Sequence, residues 1–593
     1  MQNTQILVLC IFGHVIKLFD RSDSAFWNAR CQAELADQLA KTPIVSQAKN
    51  VIVFLGDGTG IATFTAARLL KGQRSGKYEL EQSAWERFPF SSIIKTYNTN
   101  MQVTDSAASS TAYLNGVKGN QATIGVDANV LLGDCLAMNI EQFHTESVLK
   151  NFQDAGRSTG IVTTTRVTHA SPAGNYAHIA ERHWENDNDI EDYNGDPDAC
   201  DDIAEQLVLG NTGSKIKVIM GGGRKKFLPE DAVDPEGETS GRRKDGQNLI
   251  DTWINQKNLL GTNSYVWNRS ELLAVDTANT DYLLGLFDYS HMEYRVDNDA
   301  SNPTLSEMTR AAIEVLQRDV NGFFLFVEGQ FFQIEEFFCC LRLSCTLLTQ
   351  FTVLLFVHRI SCSTLLLLHT FRLFRGLIDT AHHLNEHRSA VEEAFEFEKA
   401  VEVAVSMTDV QDTLIIVTAD HSQPMTINGY PSRGSDILGL ASVSDVDNMP
   451  FTTLMYTNGP GFRDQKNDLR PNPVDENYED PHYVAQATVP MVESNHNGED
   501  VILYARGPHA HLFTGIHENA YIPHAIRCVH PPRDQVRTSP TRSGAYILHA
   551  IRCVHPKRDQ VRTSSTRSGA YIRHAIRYAA CVGSGLSFCS ADA

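Results

Sequence analysis

Positive charge is scarce in this 593-residue chain: 51 lysines and arginines stand against 71 aspartates and glutamates, for a formal net charge of −20. Broad nucleic-acid binding needs a basic footprint that displaces counterions from phosphates, so the balance argues against that partner class. A small anionic substrate would need a locally positive site, and metal ions could supply one. A clean membrane span is also missing, because His358 and Arg359 interrupt the strongly apolar block 330–375 near its middle. The opening stretch MQNTQILVLCIFGHVIKLF has an apolar run from Ile6 to Ile16 but no basic start and no clear small-residue cleavage site. It reads as an imperfect signal peptide over residues 1–25. Apolar residues are plentiful at 42%, enough to bury the core of a large globular α/β protein.

Several short β-rich runs end in glycine or polar residues: VIVFLGDG (51–58), GIVTTTRVTH (160–169), KVIMGGG (217–223), FFLFVEG (323–329) and TLIIVTADHS (413–422). Helical patterns lie between them, such as ATFTAARLLKG after the first and SEMTRAAIEVLQRD before the fourth. The alternation predicts an α/β fold with a mainly parallel central sheet and helices on both faces. Ligands of such sheets collect beyond the carboxyl ends of the strands. Asp57, His169, Glu328, Asp420 and His421 all fall there.

Taken singly, each of these residues has a bland reading. Ser106 in VTDSAASSTAYLNG, for example, is most simply a helix cap. Glu328, however, follows the apolar run FFLFV, where a lone charge is costly to bury unless it is paired or bound to a metal. Asp379 and His383 in IDTAHH are spaced to share one helical face. Together with Asp420 and His421 they form a set of oxygen and imidazole ligands suited to zinc.

With those residues in hand, the chain resembles the animal alkaline phosphatases. The resemblance rests on FLGDGTG, QVTDSAASSTAYLNGVKGN, GIVTTTRVTHASPAGNYAHIAER, MGGGRKKF, IDTAHH, VTADHS and NHNGEDV, and runs from about residue 26 to 527. It implies the three-layer sandwich of that family, two zinc ions, one magnesium ion and a weaker calcium site. Carried over by position, one zinc falls to Asp379, His383 and His496, and the second to Asp57, Asp420 and His421 beside the nucleophile Ser106. Magnesium falls to Asp57, Ser171 and Glu328, with His169 close by. Arg182 is implied as the phosphate clamp and Asp105 as its orienting partner. Calcium would involve Glu236, Phe287 and Asp288.

Two segments depart from the family pattern. Residues 330–375 insert 46 residues between Gly329 and Gly376, with a Leu, Phe, Ser and Cys bias that reads as a translated intron. In the tail, AYIPHAIRCVHPPRDQVRTSPTRSG (520–544) recurs at 545–569 with three changes and begins again at 570–577, a tandem repeat that reads as disordered excess. The family-like YAACVG follows, and residues 578–593 carry no hydrophobic anchor signal, so lipid anchoring is not legible. Of the twelve cysteines, Cys339, Cys340, Cys345, Cys362, Cys528 and Cys553 lie in these irregular segments and Cys10 in the leader. Pairing Cys135 with Cys200 and Cys581 with Cys589 would suit an oxidising compartment and would leave Cys31 over.

The expectation is therefore a metal-dependent phosphomonoesterase that works at alkaline pH through phosphoserine, located outside the cell or at its surface. It would bind no nucleic acid, could associate with a membrane, and by the resemblance would be a homodimer. Asn268 in Asn268-Arg269-Ser270 is a glycosylation acceptor if the chain is secreted. Two rivals stand beside this reading. One is a phosphodiesterase or sulfatase relative on the same sheet. The other is a non-catalytic or impaired phosphate- or metal-binding homologue, suggested by the insertion.

Overall fold

The computed structural model describes residues 23–237, 240–294, 296–297, 300–329, 378–463 and 470–529. The leader, the block 330–375, most of the tail repeat, and Cys581 with Cys589 lie outside those residues. A short N-terminal unit extends through Val45 and a large body starts at Ser46. In the first unit, Asp23 caps a helix over Ser24–Ala40 that buries none of its residues.

Among the described residues the body is built on fifteen strands. In chain order they are β1 (Asn50–Gly56), β2 (Phe90–Lys95), β3 (Ser158–Arg166), β4 (Val218–Gly222), β5 (Asn263–Val266), β6 (Tyr282–Leu286), β7 (Phe323–Gly329), β8 (Thr413–Thr418), β9 (Met425–Ile427), β10 (Leu440–Val443), β11 (Pro450–Thr452), β12 (Leu454–Gly459), β13 (Ala487–Pro490), β14 (Val501–Arg506) and β15 (Gly515–Glu518). Ten of them form one sheet in the order β15-β2-β14-β8-β1-β7-β3-β4-β6-β5. The sheet is parallel except for β14, which runs antiparallel to both of its neighbours. The five runs anticipated from sequence are β1, β3, β4, β7 and β8, and they are the five adjacent strands at the centre.

Side chains alternate between the two faces of these strands. Along β1, Val51, Val53 and Leu55 join one hydrophobic cluster, while Ile52 and Phe54 join another on the opposite face. Central strands buried on both faces must be apolar throughout, which is why they read as continuous runs. Helix Leu305–Leu316, opened by the capping box of Thr304 and Glu307, covers the second face together with helix His387–Met407. Beyond the main sheet, β9, β12 and β13 form one small sheet, and β10 pairs with β11 in another.

Cys135 and Cys200 are joined in a disulfide, as anticipated, and Cys31 is free and exposed. Asn268 caps helix Arg269–Ala274, its side-chain oxygen accepting the amide of Glu271 at 2.9 Å.

Candidate active site

The central strands deliver their polar ends to one place. β1 ends at Gly56, and Asp57 follows, its N–H bonded to the carbonyl of Gly329 at the end of β7. Gly58 turns the chain with φ +62°, and a Cβ there would sit 2.5 Å from Asp379 Oδ1. Only glycine allows that approach. From β8, Asp420 and His421 enter beside Asp57. His421 Nε2 lies 3.4 Å from Asp57 Oδ1 and 3.2 Å from Asp420 Oδ2. The other oxygen of Asp420 accepts the amides of Gly58 and His421.

Asp379 and His383 do share a face of helix Ile378–His383, with His383 Nε2 3.2 Å from Asp379 Oδ2. His496 joins them from the loop before β14. His383 Nδ1 donates to the carbonyl of Ser494, and His496 Nδ1 donates to that of Thr104. Those bonds place the lone pair of each ring on Nε2. The two Nε2 atoms stand 3.1 Å apart, an arrangement two lone pairs tolerate only with a cation or proton between them.

Ser106 begins the helix Ser106–Ser110, but it is not the cap. Asp105 is: its Oδ1 accepts the amide of Ala108 at 3.2 Å. The hydroxyl of Ser106 is thereby left for the site, 3.3 Å from His421 Nε2. Asp105 Oδ2 pairs with Arg182 Nη1 at 3.0 Å, and Arg182 Nη2 lies 3.2 Å from His169 Nε2. Glu328, on β7 in register with Leu55 of β1, and Ser171 are wholly buried.

The charges are crowded. Burial, with Asp420, Asp379 and Glu328 adding, pushes Asp57 well above the usual carboxylate range. Burial raises Glu328 to about 8, and burial with Asp379 raises Asp420 to about 6. Against the upward push of burial, His383 and His496 hold Asp379 well below its ordinary value. Both oxygens of Asp57, Oε1 of Glu328 and Oγ of Ser171 are buried without a hydrogen-bond partner. Such orphaned acceptors are costly unless a cation answers them. Two groups among the described residues converge closely enough to hold a metal ion, Asp379 with His383 and His496, and Asp57 with Asp379 and His421. The first is the trio expected from sequence. The second brings Asp379 in with Asp57 and His421, while Asp420, whose Oδ1 is held by two amides, keeps its Oδ2 3.2 Å from His421 Nε2.

Sequence reasoning passed over the residues that hold these ligands. The Gln423 side-chain amide donates to Asp379 Oδ1, and Thr163 donates to Glu328. Neither carries a signal in the chain alone. Away from the site, burial with help from Glu236 pushes Asp288 up to about 7. Glu236 itself pairs with Arg224, and Phe287 is buried.

The comparisons with known proteins agree with this architecture. The family model described as alkaline phosphatase matches residues 48–335 and 373–530. A membrane-bound alkaline phosphatase of Bombyx mori is 41% identical over 85% of this chain and 85% of its own. Alkaline phosphatase of Gadus morhua is 41% identical over 84% of this chain and 96% of its own. The tissue-nonspecific isozyme of Homo sapiens is 40% identical over 85% and 88%. Among solved structures, Thermus thermophilus alkaline phosphatase superposes with a TM-score of 0.54 at 20% identity, covering 84% of this chain and 94% of that one. A cold-active alkaline phosphatase from Shewanella sp. gives 0.52 at 22%, covering 81% and 100%. The match of the family model to most of the chain and the identity to relatives along nearly their full length place this protein in the alkaline phosphatase family.

Proposed function

We propose that this chain hydrolyses phosphate monoesters at alkaline pH by way of a phosphoserine on Ser106. The observation that carries the reading is the position of the Ser106 hydroxyl, released from capping by Asp105 and set 3.3 Å from His421 Nε2 amid converging ligands. Ser106 Oγ attacks phosphorus in line, the bond to the ester oxygen breaks, and the alcohol leaves. Water then attacks phosphorus, and Ser106 is released with inorganic phosphate. The planar guanidinium of Arg182, aimed by Asp105, is suited to hold two phosphate oxygens together.

Asp379, His383 and His496 would hold one zinc ion, Asp57, Asp420 and His421 a second, and Asp57, Ser171 and Glu328 a magnesium ion near His169. When bound, these ions supply Lewis acidity, which lowers the pKa of the serine hydroxyl and of water and stabilises the departing oxygen. A calcium ion would draw on Glu236, Phe287 and Asp288.

The disulfide between Cys135 and Cys200 supports a location outside the cytosol, where Asn268 would be glycosylated. No helix among the described residues is long and apolar enough to cross a membrane. The Bombyx mori relative is named as membrane-bound, and association with a membrane surface is carried over from it. A homodimer is consistent with the helix Ser24–Ala40, whose Trp27, Leu35 and Leu39 are exposed.

The test is turnover of a phosphomonoester beside a diester at alkaline pH, before and after chelation. Preference for the monoester, lost on chelation and regained with zinc, supports the reading, and preference for the diester overturns it.

A further inference from the structure

Glu328 depends on a neighbouring strand for its orientation. β3 runs parallel to β7 with Thr163 in register with Glu328, and the two-residue period of a strand sets Thr163 and Thr165 on the same face. All three residues are fully buried. Thr163 Oγ1 stands 2.6 Å from Glu328 Oε2, and the backbone N–H of Thr165 donates to Thr163 Oγ1 at 2.9 Å. The Thr165 amide donates to one lone pair of Thr163 Oγ1, and with Glu328 ionised, as a cation at Oε1 would hold it, the carboxylate only accepts, so the single hydroxyl proton of Thr163 points to Glu328. Thr165 Oγ1 completes the arrangement, 2.8 Å from Thr163 Oγ1 and 3.5 Å from Glu328 Oε2. The β3–β4 pairing is irregular between Val162 and Arg166, in the stretch that carries both threonines. With Oε2 engaged, Oε1 is the glutamate oxygen left without a partner.

We propose that Thr163, backed by Thr165, is a positioning residue that presents Glu328 Oε1 to the magnesium ion. The inference rests on the metal assignment above. Partners of this kind, which touch a ligand and not the ion, typically change metal affinity by about 10- to 100-fold when removed. Their effect is to fix the ligand's rotamer before the ion arrives.

The experiment measures magnesium affinity of the zinc-loaded full chain by calorimetry, with the magnesium-dependent rise in melting temperature as a second readout. Thr163→Val keeps the branched shape and removes the donor. It is expected to weaken magnesium binding about tenfold or more, leave zinc content unchanged, and lower kcat with little change in KM. Thr163→Ser keeps the hydroxyl and is expected to bind magnesium like the parent. Equal losses in the serine and valine variants would trace the effect to packing and overturn the proposal. So would wild-type affinity in the valine variant. Should valine prevent folding, Thr163→Ala removes the same donor and is judged by the same two outcomes. Glu328→Gln separates the underlying assignment from the inference: if that variant binds magnesium normally, the assignment of Glu328 fails and the proposal falls with it.

Discussion

Arg182 Nη1 stands 3.0 Å from Asp105 Oδ2, while the opposite oxygen of the same carboxylate accepts the amides of Ala108 and Ala122 at 3.2 Å each. One side chain thus caps the helix that carries the nucleophile and aims the guanidinium that would meet the phosphate. The backbone carbonyl of Ala122 accepts from the Arg182 amide in return, closing the link between the two segments. Nucleophile and clamp are therefore positioned by a common support, and its removal is expected to affect both.

Asp105→Asn separates the two roles. The amide oxygen can still cap the helix, but the N–H groups that replace Oδ2 would face Arg182 donor to donor. We expect the variant to melt near the parent temperature and to show an apparent KM about tenfold higher, the scale of one lost hydrogen bond to a charged group. Melting curves and steady-state kinetics check both halves.

Arg182→Ala removes the fork itself. Inhibition by inorganic phosphate should weaken by about 10- to 100-fold, since a hydrogen bond to a charged group contributes about 1.5–3 kcal/mol. Zinc content, read by elemental analysis, should be unchanged. Loss of zinc would assign Arg182 to holding the site together.

Residues Gly329 and Ile378 line one small cavity, and a Cβ on Gly329 would lie 3.6 Å from the Ile378 side chain. The last residue described before the apolar block and the first described after it are therefore neighbours, with Glu328 and Asp379 in place beside them. Closing a longer loop costs only about 0.6 kcal/mol per doubling of length. The greater hazard of the block is its apolar composition and its four additional cysteines. Deletion of residues 330–375 is expected to raise the yield of zinc-loaded protein and phosphomonoester turnover over the full chain. Equal activity in both forms would show that the segment is tolerated.

His387 is fully buried and packs edge-on against Tyr483, and burial, with Arg388 adding, pushes its pKa down to about 3. The unfolded chain takes up this proton first, near the ordinary value of 6.5. Stability is therefore complete above that pH and is lost as the pH falls toward about 3, by at most about 1.4 kcal/mol per pH unit. His387→Leu should remove this slope. The difference in unfolding free energy between parent and variant should shift in the variant's favour from pH 7 to pH 5, and a constant difference would contradict the assignment.

The central strands were legible because burial on both faces leaves an unbroken apolar run, as in the fully buried β1, β7 and β8. The edges were not. β2 is FSSIIK, with burial alternating along its length, and β5 is NSYV, mostly half-buried. Short, half-solvated strands carry a weak pattern. In the site, the sequence exposed charged ligands whose burial demands explanation, such as Glu328 after FFLFV. It hid Thr163 and Gln423, because a strand threonine and a loop glutamine become meaningful only once the register of β3 on β7, or the approach of Asp379, is known. Ser106 was misleading in isolation, since its cap reading fails only when Asp105 is seen to occupy that role.

The most direct test of the account is to quench the enzyme during turnover of a phosphomonoester, digest it, and locate the phosphorylated peptide. One phosphate is expected on Ser106, absent in Ser106→Ala although that variant retains its zinc. A phosphate on another residue, or undiminished turnover in Ser106→Ala, would contradict it.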